Sequence, residues 1–108
     1  MGKSITSLIR DIHENAISHG WWDEKRSFGD ITALIHSEVS EAFEEHRNGK
    51  PNYYIVDGKP EGKAVELADV IIRILDWAGS ENVDMESIIE NKHKYNISRP
   101  FRHGGKKL

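Results

Sequence analysis

The sequence has no cysteine and only three prolines. Disulfides and thiolate metal sites are therefore excluded, and cysteine usage says nothing of the redox compartment. No apolar run approaches the roughly 20 residues of a membrane span. Met1-Gly2-Lys3-Ser4 lacks the apolar core of a secretory signal. Charge of one sign is also missing: 18 acids stand against 15 bases, for a net charge of −3. That balance argues against a nucleic-acid binder, and no stable nucleic-acid complex is expected. Apolar residues make up 37% of the chain, below the usual range of about 45–50%, although that range also counts glycine. At 108 residues the chain is enough for one domain and too little for two, residues 1–108 being read as one unit. So small a core points to help from a partner subunit. A soluble, cytoplasmic, single-domain protein is the expectation.

The charges that are present are unevenly placed. Glu38, Glu41, Glu44 and Glu45 fall within one short stretch, and no acid follows Glu90. Lys92, Lys94, Arg99, Arg102, Lys106 and Lys107 then make the end basic, with an irregular tail over 97–108. One part of the chain suits cations and another suits anions, unless these are a solvated helix face and a frayed tail.

Four helices are predicted. The first runs from about Ser4 to Ser18 with Gly20 as its stop, on the apolar spacing Ile5, Leu8, Ile9, Ile12, Ala16. The second is capped by Asp30 and ends near Arg47, before Asn48-Gly49-Lys50-Pro51. Tyr53-Tyr54-Ile55-Val56 with the turn signal Asp57-Gly58 makes at best a small hairpin or extended loop, since Pro60 and Gly62 break a continuation. The third helix spans about Lys63 to Ala78 and stops at Gly79. Asp84 caps a fourth to about Asn96. The fold class is all-α, a four-helix bundle with a short hairpin or loop between the second and third helices.

Two helices carry carboxylates where apolar residues belong. On the second helix Ile31, Leu34, Ile35, Val39 and Ala42 form the expected buried stripe, with Glu38 in its middle, Glu41 on its edge and Glu45 beside it. On the third, Glu66, Asp69, Arg73 and Asp76 make one narrow polar stripe. Ala64, Val65, Ala68, Ile71, Ile72 and Leu75 are expected to serve the chain's own core. The second seam, Leu67, Val70, Ile74 and Trp77, is expected to form a homo-oligomer interface. The pairs Glu38-x-x-Glu41 and Glu66-x-x-Asp69 each share a helix face. Packed together they gather four carboxylates, whose repulsion calls for a cation, and an all-oxygen donor set suits Mg²⁺ or Mn²⁺. The lone Glu90-to-His93 spacing has no second copy, so a di-iron bundle is not expected. His13, His19, His36, His46 and His103 show no paired metal spacing, and most are expected on the surface.

On the fourth helix Lys92, Tyr95 and Asn96 continue the side set by Met85, Ile88 and Ile89. Lys92 either snorkels outward or joins Arg99, Arg102, His103 and Lys106 in gripping an anion, with Gly104-Gly105 open to a phosphate.

Together these blocks resemble the MazG-like nucleoside triphosphate pyrophosphohydrolases of the all-α NTP pyrophosphatase group. The likeness lies in Glu38-x-x-Glu41 followed by Glu66-x-x-Asp69, in Asp57-Gly58-Lys59-Pro60-Glu61-Gly62, and in Lys92-x-x-Tyr95-Asn96-x-x-Arg99-Pro100-x-Arg102-His103-Gly104-Gly105-Lys106. It implies hydrolysis of an NTP or dNTP to the monophosphate and pyrophosphate, with a divalent metal on Glu38, Glu41, Glu66 and Asp69. It also implies a dimer or tetramer. In that chemistry Glu41 or Glu45 takes the proton of the attacking water, and Lys92, Tyr95, Asn96, Arg99, Arg102, His103 and Lys106 hold substrate. Trp21, Trp22 and Phe28 either stack on a base or plug the space over the first two helices. The alternative of another class is a non-catalytic helical oligomerisation or regulatory module that keeps a metal or nucleotide pocket.

Overall fold

The computed structural model describes residues 2–100, so Arg102, His103, Gly104, Gly105 and Lys106 lie outside the described residues. The chain folds as α1 (Ile5–Ser18), α2 (Phe28–Arg47), a hairpin of β1 (Tyr54–Val56) and β2 (Lys59–Glu61), α3 (Lys63–Ser80) and α4 (Met85–Ser98). It is a four-helix bundle with a short β-hairpin between α2 and α3. None of these helices is long and apolar enough to cross a membrane, among the described residues.

Local chemistry fixes most boundaries. The Ser4 hydroxyl accepts from the Ser7 N–H, and Asp84 accepts from the N–H of Ser87. α1, α2 and α3 end in paired backbone bonds around a left-handed residue: Gly20, Gly49 and Asn82. After α1 this turn sends the Trp21 N–H back to the Ala16 carbonyl at 3.0 Å, which folds the tryptophan loop over the bundle. α2 starts earlier than Asp30 predicts. Ser27 is the cap, its hydroxyl accepting from the Asp30 N–H at 3.0 Å, and Phe28 enters the helix to meet Trp77 edge-on.

The hairpin pairs Tyr54 with Glu61 and Val56 with Lys59 across a turn in which both Asp57 and Gly58 have positive φ. Pro60 sits in β2, tolerated because a two-stranded sheet has only edges. Gly62 then joins β2 to α3 with φ +114°, and a Cβ there would lie 2.3 Å from the Asn52 carbonyl oxygen. That carbonyl accepts from the Ala64 N–H at 3.0 Å, and this fixes where α3 begins.

α3 is the central helix, packed on α2 along one side and on α1 along the other; α4 packs on α1. The face it turns inward differs from the expectation. The polar stripe points between α1 and α2: Asp76 is buried and bonded to His13 of α1, and Arg73 reaches Glu38 of α2. This rotates the apolar faces. Ile74 and Trp77 look toward α2, lining a small cavity with Phe28, Ile31 and Ile35, so they serve the chain's own packing. Of the expected core face only Leu75 is buried; Ala64, Ala68, Ile71 and Ile72 are exposed, Ile71 at 57%, as is Leu67 of the expected interface seam. Val39 of α2, expected in the buried stripe, is exposed as well. α3 also runs through Gly79 instead of stopping there. A Cβ at Gly79 would lie 2.7 Å from the Cβ of His13, so this glycine serves the close crossing of α1 and α3.

Among the described residues the buried apolar core is small: Ile31, Ala42, Leu75 and Ala78. The accessible surface is 8325 Å², against about 6,100 Å² for a folded monomer of this mass. The radius of gyration is 16.5 Å, against about 13 Å for a compact chain of this length.

Replacing Gly62 by alanine should cost about 2–4 kcal/mol, from the left-handed φ and the clash with Asn52. Denaturant unfolding of Gly62→Ala checks this; stability equal to the parent chain would contradict the assigned backbone.

Candidate metal centre

Three carboxylates meet where α2 and α3 pack. Oxygens of Glu38, Glu66 and Asp69 lie within 4.8 Å of one another. The helical spacing of three puts Glu66 and Asp69 on one face, and the inward rotation of α3 turns that face to Glu38. Glu41, one turn further along α2, is exposed but adjoins Glu66. The structure thus brings three of the four expected ligands together and sets the fourth at the rim. A set of this kind can hold a divalent cation.

The electrostatics are unequal. Burial pushes Glu38 upward, but the Arg73 guanidinium and hydrogen bonds shared with Glu41 and Glu66 outweigh it and leave Glu38 below the usual range. Arg73 donates to one oxygen of Glu38 twice, from Nε at 3.2 Å and Nη2 at 2.9 Å. Glu66 has no such partner. Burial, then the adjacent Glu41 and Glu38 carboxylates, push it from 4.5 up to about 7. Asp69 is raised by burial and by the Glu38 charge, with Arg73 and Lys59 opposing.

Beside the cluster an open cleft of about 490 Å³ runs between α1 and α3. Ile12, Ala16 and Ile72 give it apolar walls, Trp21 an aromatic one, and Glu38 and Asp69 reach it from the cluster. Trp21 is held by Arg26, whose guanidinium carbon lies 3.7 Å from the ring centroid and whose Nε donates to the Trp21 carbonyl at 2.9 Å. Trp22 turns the other way. Its indole N–H donates to both oxygens of Asp76, at 3.0 and 3.1 Å, and Asp76 also binds His13 Nδ1 at 2.7 Å. Trp22 is thus a packing element closing a buried polar network, while Trp21 faces the cleft. His13 is half-buried. Its spacing with Ile9, Ile12 and Ala16, which puts it on the apolar face of α1, is the signal that places it.

The remaining expected residues lie apart. The Tyr54 hydroxyl donates to Glu45 at 2.9 Å, which ties Glu45 to the hairpin. On α4 Lys92, Tyr95 and Asn96 are exposed, with the Lys92 ammonium 4.8 Å and the Arg99 guanidinium 5.6 Å from the Tyr95 ring centroid. None of these four lines the cleft.

In comparisons with known proteins, no family model, curated protein or solved structure matches the chain.

The raised Glu66 carboxyl has a consequence for pH. The folded, metal-free chain favours its protonated form, so this group's contribution to stability falls as pH rises from 4.5 through about 7. A cation favours the charged form and should reverse the loss. Melting curves with chelator and with excess Mg²⁺ should show a larger metal-induced rise at pH 8 than at pH 5.5. Affinity should weaken roughly tenfold per pH unit below 7, as one proton is displaced. A metal response independent of pH would contradict this assignment.

Proposed function

We propose that the chain is a metal-dependent nucleoside triphosphate pyrophosphohydrolase of the MazG-like kind, releasing a nucleoside or deoxynucleoside monophosphate and pyrophosphate. The observation that carries this reading is the convergence of Glu38, Glu66 and Asp69 beside a cleft walled by Trp21. The donor set fits a hard divalent cation: all ligands are carboxylate oxygens, and one guanidinium stands against Glu38, Glu41, Glu66 and Asp69. Those four residues would hold Mg²⁺ or Mn²⁺. The chemistry such an ion supplies when bound is neutralisation of phosphate charge and a lowered pKa for water.

The chain's own residues divide the other tasks. Glu41, exposed at the rim, is the better placed of the two acids to accept a proton from water, because Glu45 is engaged by Tyr54. Trp21 offers a flat wall to a base. Lys92, Tyr95, Asn96 and Arg99 are suited to phosphate oxygens, and a second subunit is the route by which they reach a cleft that their own chain does not bring them to. That subunit would dock on Ala64, Leu67, Ala68 and Ile71 of α3, a stripe at i, i+3, i+4 and i+7 that none of the described residues covers.

A non-catalytic module that retains the pocket is the second reading. The pairing of Glu38 with Arg73 favours it, since the cluster is partly neutralised without any ion.

A panel of NTPs and dNTPs with Mg²⁺, scored separately for pyrophosphate and orthophosphate, tests the reaction. Pyrophosphate release, lowered at least roughly 100-fold in Glu38→Gln, is the expected outcome. Orthophosphate release would identify another phosphohydrolase, and no release from any triphosphate would favour the non-catalytic module. Sedimentation should show a homo-oligomer that Ile71→Glu dissociates; a monomeric parent chain would remove the proposed interface.

A further inference from the structure

The charge balance around the cleft singles out one residue that the reaction outlined above leaves without a task. Asp11, Glu38, Asp69 and Asp76 all line the cleft, and Arg73 is its one Lys or Arg among the described residues. Asp11 already has Lys3 as a partner, and Asp76 has Trp22 and His13. Arg73 is the cation paired directly with a carboxylate proposed to bind metal, committed to Glu38 through two N–H groups on a single oxygen.

Arg73 would keep a partner on leaving Glu38. While paired with that carboxylate its guanidinium carbon already lies 5.0 Å from the Trp21 ring centroid, within cation–π range, and both groups border the open cleft. Leaving Glu38 would not strand the guanidinium in an apolar interior. A divalent cation arriving at Glu38 competes with Arg73 for the same carboxylate and repels it, because both are positive. A released guanidinium in this cleft presents several N–H donors in a fork that matches phosphate oxygens.

We infer that Arg73 is the internal counter-ion of the acidic cluster, pairing with Glu38 while no divalent cation is bound and turning into the cleft when one is, where it grips the anionic part of the ligand. The inference rests on the reading of the cluster as a metal site and adds to it a positioning residue that links cation loading to anion capture.

Calorimetry with Mn²⁺ alone, then with inorganic pyrophosphate added to the Mn²⁺-loaded protein, tests both halves. In Arg73→Gln the competitor is gone, so Mn²⁺ should bind roughly tenfold tighter, and pyrophosphate roughly tenfold weaker. Arg73→Lys keeps the charge and guards against a variant that fails to fold; its Mn²⁺ affinity should stay within about threefold of the parent's. Weaker or unchanged Mn²⁺ binding in a helical Arg73→Gln would overturn the inference and make Arg73 a fixed support for Glu38. Unchanged pyrophosphate binding would overturn the capture half. Absence of Mn²⁺ binding by the parent chain would instead remove the metal reading beneath it.

Discussion

The inward-facing polar stripe of α3 is the constraint on which the rest of the molecule depends. Burying Asp76 unpaired would cost several kcal/mol, and its two oxygens are instead satisfied by His13 of α1 and Trp22 of the following loop. Three residues earlier on the same face, Arg73 is satisfied by Glu38 of α2. These bonds hold α1 and α2 to opposite sides of α3 and fix its rotation. Once the rotation is fixed, Asp69 and Glu66, further up the same stripe, must face Glu38. The acidic cluster and the scaffold are therefore one device: the residues that lock the helices together also aim the carboxylates.

That arrangement leaves two imbalances. At the cluster a single guanidinium faces several carboxylates, and the consequence appears in Glu66, pushed up to about 7 while Glu38 beside Arg73 stays low. On the outside, the rotation that gathers the acids turns Ala64, Leu67, Ala68 and Ile71 away from the chain's own core. In the proposed reading a cation answers the first imbalance and a second subunit's apolar surface the second. The small core agrees with this, since Leu75 and Ala78 are the only fully packed apolar side chains of α3.

The helices and the hairpin were legible in the sequence because their signals are local: Ser4 and Asp84 as caps, Gly20 and Asn48-Gly49 as stops, Asp57-Gly58 as a turn. Glu38 was legible because it interrupts an apolar stripe, and Glu66 and Asp69 because they form a second acidic pair at i, i+3 in a narrow polar stripe. The rotation of α3 was not, because its two apolar faces are equally good candidates for burial by periodicity alone. What decides between them is a set of long-range polar contacts from His13, Trp22 and Glu38. Gly79 misled for a related reason. A glycine near a helix end reads as a stop, but here it makes room for the His13 side chain across the helix crossing. Ser27 was passed over in favour of Asp30, three residues on, which donates its N–H to the true cap.

The most direct test of the claim that α3 aims a cation site at α2 is Mn²⁺ binding by calorimetry at pH 8 in the parent chain and in Glu66→Gln and Asp69→Asn. Binding by the parent chain that falls at least roughly tenfold in each variant, with helical content unchanged, is the predicted result. Equal affinity in all three proteins, or no binding by the parent, would contradict it.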